Sequence, residues 1–67
     1  MSPKRLSSVI RELRQARDLS QRELADKANV TGAYIAQLET GVKKNPSLDI
    51  LKRLAKALGV PVTELLK

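Results

Sequence analysis

The residue types that usually carry out bond-making chemistry are nearly missing from this chain of 67 residues. It has no histidine and no cysteine, which removes the commonest general base, the commonest metal ligand and any thiolate. The seven carboxylates, Glu12, Asp18, Glu23, Asp26, Glu39, Asp49 and Glu64, are scattered and show neither metal-ligand nor acid–base spacing. The expectation is a protein that is not an enzyme and that needs no cofactor and no metal. What the chain does offer is recognition chemistry. Lys43, Lys44 and Asn45 stand together, with no acid between Gly41 and Ser47, and lysines act as point charges suited to an oxyanion such as a phosphate. Thirteen Lys and Arg against seven Asp and Glu give a net charge of +6, which permits a polyanion partner without specifying one. A solvated basic loop is the plainer reading of the same residues.

Those residues need a frame, and the pattern predicts an all-α one of five helices. In helix one, Pro3 suits the first turn with Ser2 as its cap. Leu6, Val9, Ile10 and Leu13 follow at i, i+3, i+4 and i+7, and the helix should end near Arg17, before Asp18. Ser20 and Glu23 have the spacing of a capping box and open helix two, Gln21–Ala28, whose Leu24, Ala25 and Ala28 form an apolar stripe. Asn29 tolerates the left-handed conformation in which helices end, and Val30 can plug the corner. Thr31 is a ready N-cap for helix three, Gly32–Thr40, which stops at Gly41. Residues 41–46 read as a loop, because Pro46 blocks helical geometry at Asn45.

Ser47 then caps helix four, and Asp49 in its first turn complements the helix dipole. Leu48, Leu51, Ala55 and Leu58 are its expected inner stripe, with Gly59 placed to end it. After the turn at Val60-Pro61, a short fifth helix should carry Val62, Leu65 and Leu66. With one tyrosine and no phenylalanine or tryptophan, the core must be almost wholly aliphatic. One domain over residues 1–67 is expected, close to the lower size at which a chain folds without staples.

On a helical wheel, Ile35 and Leu38 of helix three point one way, while Ala33, Ala36, Gln37 and Thr40 point the other. That outward face is small, uncharged and free of large apolar groups. A helix, a tight turn and a second helix over residues 20–40 form the supersecondary unit whose second helix, here about residues 31–40, enters the major groove of DNA. The residues Leu19-Ser20-Gln21, Leu24-Ala25, Val30, Ile35, Leu38-Glu39 and Gly41 resemble the Cro/C1-type helix-turn-helix family of phage repressors and bacterial regulators. The resemblance continues through Asn45-Pro46-Ser47-Leu48, residues 54–60 and Glu64-Leu65-Leu66, so it covers nearly the whole chain from about Leu13. It implies a compact five-helix domain of the lambda-repressor-like type that binds double-stranded DNA.

The resemblance carries the family's base-reading positions to Gly32, Ala33 and Gln37, with Gln21 often joining them. Gln37 can pair with adenine N6 and N7, and the Ala33 methyl can meet a thymine methyl. The chain departs from many relatives in that Gly32 has no side chain and Ala33 none that hydrogen-bonds. Direct readout is therefore expected to rest on Gln37, with help from Gln21, Thr31 or Tyr34 and from DNA shape. Three of these residues have bland alternatives: Tyr34 as a packing residue, Gly32 as an aid to helix entry, and Gln37 as an ordinary exposed glutamine. In the family the loop after helix three lies along the sugar-phosphate backbone, which implies phosphate contacts from Thr40, Lys43, Lys44 and Asn45. Ser20 and Gln21 would hold a phosphate on the other flank.

Arg14 and Glu39 match family positions that pair between helices one and three, and their expected role is structural. Lys4, Arg5, Arg11 and Arg17 read as a solvated face of helix one, since the apolar stripe of that helix is needed for the core. No apolar run approaches the roughly 18 to 20 residues that span a bilayer, and MSPKRLSS lacks the apolar core of a signal peptide. A cytoplasmic protein with no membrane partner is expected. Nothing follows helix five, so no separate effector domain is expected and no small-molecule effector site is apparent. Relatives commonly dimerise on pseudo-palindromic sites, and Ile50, Val60, Pro61, Val62 and Leu66 are candidates for a weak homodimer interface, or else core. The resemblance implies a transcriptional regulator, a repressor before an activator. The alternative is a protein-binding module on the same scaffold, such as an antitoxin or adaptor.

Overall fold

Four α-helices and one 3-10 turn follow one another: α1 (Leu6–Ala16), α2 (Gln21–Ala28), α3 (Gly32–Thr40), α4 (Leu48–Leu58) and a short turn over Val62–Glu64. The computed structural model describes residues 5–43 and 45–66. The expected cap Ser2, Pro3 and the cations Lys4 and Lys44 lie outside the described residues.

Helix α1 starts at Leu6, after extended Arg5 and with no side-chain cap, which corrects the expected start at Pro3. Short polar side chains set the starts of α2, α3 and α4. Ser20 Oγ accepts from the Glu23 N–H at 2.9 Å while a Glu23 carboxylate oxygen accepts from the Ser20 N–H at 2.8 Å, so both halves of the capping box form. Thr31 accepts from the Tyr34 N–H and Ser47 from the Ile50 N–H in the same way. Left-handed residues set the ends: Asn29 (φ 59°) after α2, Gly41 (φ 87°) after α3 and Gly59 (φ 71°) after α4. Asp18 (φ 54°) does the same after α1. There the Leu19 N–H reaches Arg14 O at 3.1 Å and the Asp18 N–H reaches Gln15 O at 3.0 Å, the paired bonds of a Schellman ending.

α3 packs against both α1 and α2, α2 also packs against α4, and the terminal turn lies on α4. Ile10, Leu24, Ile35, Leu38, Leu54 and Leu58 are fully buried where these helices meet, with Ala25, Ala28, Leu51, Ala55 and Leu65 around them. Leu6, Val9, Leu13, Leu19, Val30 and Tyr34 close the edges. The core is aliphatic, as the composition requires.

Two further expectations are corrected. There is no fifth α-helix among the described residues: Glu64, Leu65 and Leu66 each donate to the carbonyl three residues back, so the end of the chain is a 3-10 turn. With three residues per turn, positions 62 and 65 eclipse, which buries Leu65 and leaves Leu66 56% exposed. In α4 the inner stripe is Leu51, Leu54, Ala55 and Leu58, at i, i+3, i+4 and i+7. Leu48, expected in that stripe, is 54% exposed, because as the first residue of α4 it precedes the turns that other helices cover.

Candidate nucleic-acid interface

The inner side of α3 is committed to the fold: Ile35, Leu38 and Glu39 are buried. On its outer side Ala33, Gln37 and Thr40 are exposed, while Ala36, expected to point outward with them, is half-buried, as is Gly32. Gln37 is exposed, and no hydrogen bond among the described residues engages its side-chain amide. Gly32 has open space around it, and a Cβ built there meets nothing within 4 Å. Its conformation does not demand glycine either, since it is not among the positive-φ residues. Within the protein, then, nothing requires the smallest residue at the first position of α3. Tyr34 is half-buried against the core, which favours the packing role weighed for it above. Thr31 is spent on capping.

The end of α3 folds back on itself. The Lys43 N–H donates to Gln37 O at 3.1 Å and the Thr40 hydroxyl donates to the same carbonyl at 3.2 Å. These bonds bring the backbone of exposed Lys43 beside the last turn of α3. Asn45 is also exposed. At the other flank, Ser20 carries the capping box and Gln21 begins α2.

Gln21 belongs to a buried polar cluster as well. Its Nε2 donates to Glu39 Oε1 at 3.2 Å. Arg14 grips the same carboxylate with two bonds, Nε to Oε2 at 2.6 Å and Nη2 to Oε1 at 3.0 Å, and its Nη1 donates to Leu19 O at 2.8 Å. The side chain of Glu39 is 3% exposed and that of Arg14 14%. Burial by itself would raise the Glu39 carboxyl. The hydrogen bonds from Arg14 and Gln21 and the charges of Arg14 and Arg11 outweigh it and hold Glu39 below the usual carboxylate range. The expected pair of Arg14 and Glu39 is therefore present.

The cluster is wider than the sequence indicated. Arg11, read as part of a solvated face, donates to the Glu39 backbone carbonyl at 3.0 Å and lies 3.8 Å from its carboxylate. Its position three residues before Arg14 puts both on one side of α1, a signal that could have found it. The other described cations read as part of that face, Arg5 and Arg17, flank α1 and are exposed. Of the interface candidates at the other end of the molecule, Ile50, Val60 and Val62 are half-buried against the core, and Pro61 and Leu66 are exposed.

A family model described as Helix-turn-helix matches residues 10–65, which takes in every described helix apart from the first residues of α1. The chain belongs to the Cro/C1-type helix-turn-helix family. Within the family, the immunity repressor protein of Bacillus phage phi105 is 43% identical over 54 residues, which cover 81% of this chain and 37% of that protein. The crystal structure of SinR, a master regulator for biofilm formation, in complex with DNA matches with a TM-score of 0.89 at 32% identity, covering 92% of this chain and 98% of that one. The DNA-binding domain of the P22 C2 repressor matches with a TM-score of 0.94 at 28% identity, over 100% of this chain and 87% of that one. The chain spans about a third to a half of the length of the curated relatives it matches. None of the described helices is long and apolar enough to cross a membrane.

Proposed function

We propose that this chain is a sequence-specific double-stranded DNA-binding transcriptional regulator, acting as a repressor, that inserts α3 into the major groove. The observation that carries the reading is the outer face of α3, narrow, uncharged and sterically open, in a fold that matches SinR in its DNA complex. A helix reads base edges only when it enters the groove closely, and Gly32 and Ala33 offer the least bulk at its leading end. Gln37 supplies the specific contact, bidentate to an adenine edge. Lys43, Lys44, Asn45 and Thr40 on one flank and Ser20 and Gln21 on the other hold the two phosphate rows. Gln21 has one amide N–H bonded to Glu39, and its second N–H remains for a phosphate.

A single copy reads few base pairs, so useful specificity needs two. Exposed Pro61 and Leu66, beside half-buried Val60 and Val62, form the homodimer contact, and the operator is a pseudo-palindrome with half-sites about one helical turn apart. Selection of bound sequences from a random duplex pool tests the whole reading, with the affinity of the winners followed against salt. The expected result is an inverted repeat bound at least about a thousandfold more tightly than bulk DNA. Enrichment of nothing, with only weak salt-sensitive binding, overturns it.

A further inference from the structure

We infer that the chain has a second anion-binding site, a cleft between the end of α2 and the middle of α4 that receives a carboxylate-rich segment of a protein partner. The cleft, of about 440 Å³, is lined by Lys27, Ala28, Asn29, Arg53, Lys56 and Ala57. Three of these six are cations and none is an acid. Lys27 and Lys56 lie in the last turns of their helices, where a cation offsets the dipole whatever else it does. Arg53 has no such reason, because it stands mid-way along α4. Its Nε is shielded from solvent and has no hydrogen-bond partner among the described residues. The ion pair of Arg53 with Asp49 spans 3.7 Å, and the Asp49 side chain is 79% exposed. That distance is beyond hydrogen-bond range. The Arg53 side chain as a whole is 36% exposed, so a carboxylate in the cleft meets the accessible part of its guanidinium, with Lys27 and Lys56 lining the same cleft.

Two observations favour a protein segment over nucleic acid. No described residue of α3, of the loop over residues 41–46 or of the start of α2 lines the cleft, which sets it apart from the proposed DNA face. Its lining includes Ala28 and Ala57, which suits the methylene stem of a glutamate whose head reaches the cations. A duplex presents its phosphates on a convex polar rim. The cationic cleft stands apart from the DNA-binding reading, but the preference for a protein segment over nucleic acid rests in part on that reading.

The test is amide chemical-shift mapping on the nitrogen-labelled protein at physiological ionic strength, with a blocked glutamate-rich alanine peptide as probe and its glutamine counterpart as control. The expected result is saturable shifts confined to residues 27–29 and 53–57 with the glutamate peptide alone. Affinity should fall about tenfold or more in Lys27→Gln/Lys56→Gln, a variant of two exposed residues whose spectrum stays as dispersed as that of the parent. Arg53→Gln should weaken the peptide similarly. Shifts spread evenly over exposed lysines and arginines, or an affinity unchanged in the double variant, overturn the proposal. A separate titration with random-sequence duplex DNA covers the remaining source. If the duplex moves these amides and the peptide does not, the cleft belongs to nucleic acid and the proposal fails.

Discussion

Gln37 lies on the exposed side of α3, and no hydrogen bond among the described residues engages its side-chain amide. Truncating it should remove specific binding alone. Gln37→Ala is expected to cost about 1 to 3 kcal/mol on the selected operator and almost nothing on scrambled duplex, as read by fluorescence anisotropy on both. An equal loss on the two would take base reading away from Gln37. Gly32 makes an opposite pair of demands. Alanine there meets no neighbour and restores helix propensity, so Gly32→Ala should raise stability by up to about 1 kcal/mol while weakening the operator complex. A variant that gains in both respects shows that close approach does not explain the glycine. Lys43, exposed beside the last turn of α3, is assigned to a phosphate. Lys43→Ala should weaken all duplexes alike and flatten the slope of log affinity against log salt by about one.

Helices of eight and nine residues, such as α2 and α3, are too short to persist alone in water, so their ends matter as much as their faces. The N–H groups of the first turn of α2 depend on Ser20, and the Ser20 N–H depends on Glu23. Ser20→Ala should cost about 1 kcal/mol, visible as a lower urea midpoint with an unchanged slope. A null result would mean that solvent satisfies that turn equally well. At this scale the chain is highly legible. The bounds of α2 and α3 coincide with those read from Ser20, Asn29, Thr31 and Gly41, because capping is a local interaction between residues a few positions apart. The last element was misread as a helix, since Val62, Leu65 and Leu66 suit either repeat and only the observed hydrogen bonds distinguish three residues per turn from 3.6.

Glu39 connects the elements. Its carboxylate receives bonds from Arg14 on α1 and Gln21 on α2 while its backbone sits on α3 and takes a further bond from Arg11. A domain of this size has roughly 3 to 10 kcal/mol of stability in total. Leaving Arg14 without its partner costs on the order of 3 kcal/mol or more, so Glu39→Ala should lose a large fraction of that stability, read as a much lower urea midpoint. The pH dependence has a definite sign. Folding lowers the Glu39 pKa, so the unfolded chain binds the proton more readily. The stabilisation is fully present above the unfolded value of about 4.3 and is lost as pH falls toward the folded one. The parent's urea midpoint should therefore drop more steeply between about pH 5 and pH 3 than that of Glu39→Gln. Parallel slopes would assign the acid sensitivity to other carboxylates.

The sequence by itself determined the helical class, the capping residues, the turn at Asn29 and the pair of faces on α3, since all of these follow from side chains within a few positions of one another. It also excluded acid–base catalysis by histidine and any disulfide, because the residues are not there. Tertiary structure alone decided which of several compatible pairings were made. Arg11 bonded Glu39 while staying 51% exposed, Leu54 took the core place that Leu48 was expected to help fill, and Lys27 came to line one cleft with Arg53 and Lys56. Each of those outcomes depends on how separate helices pack against one another, and no spacing along the chain records that geometry.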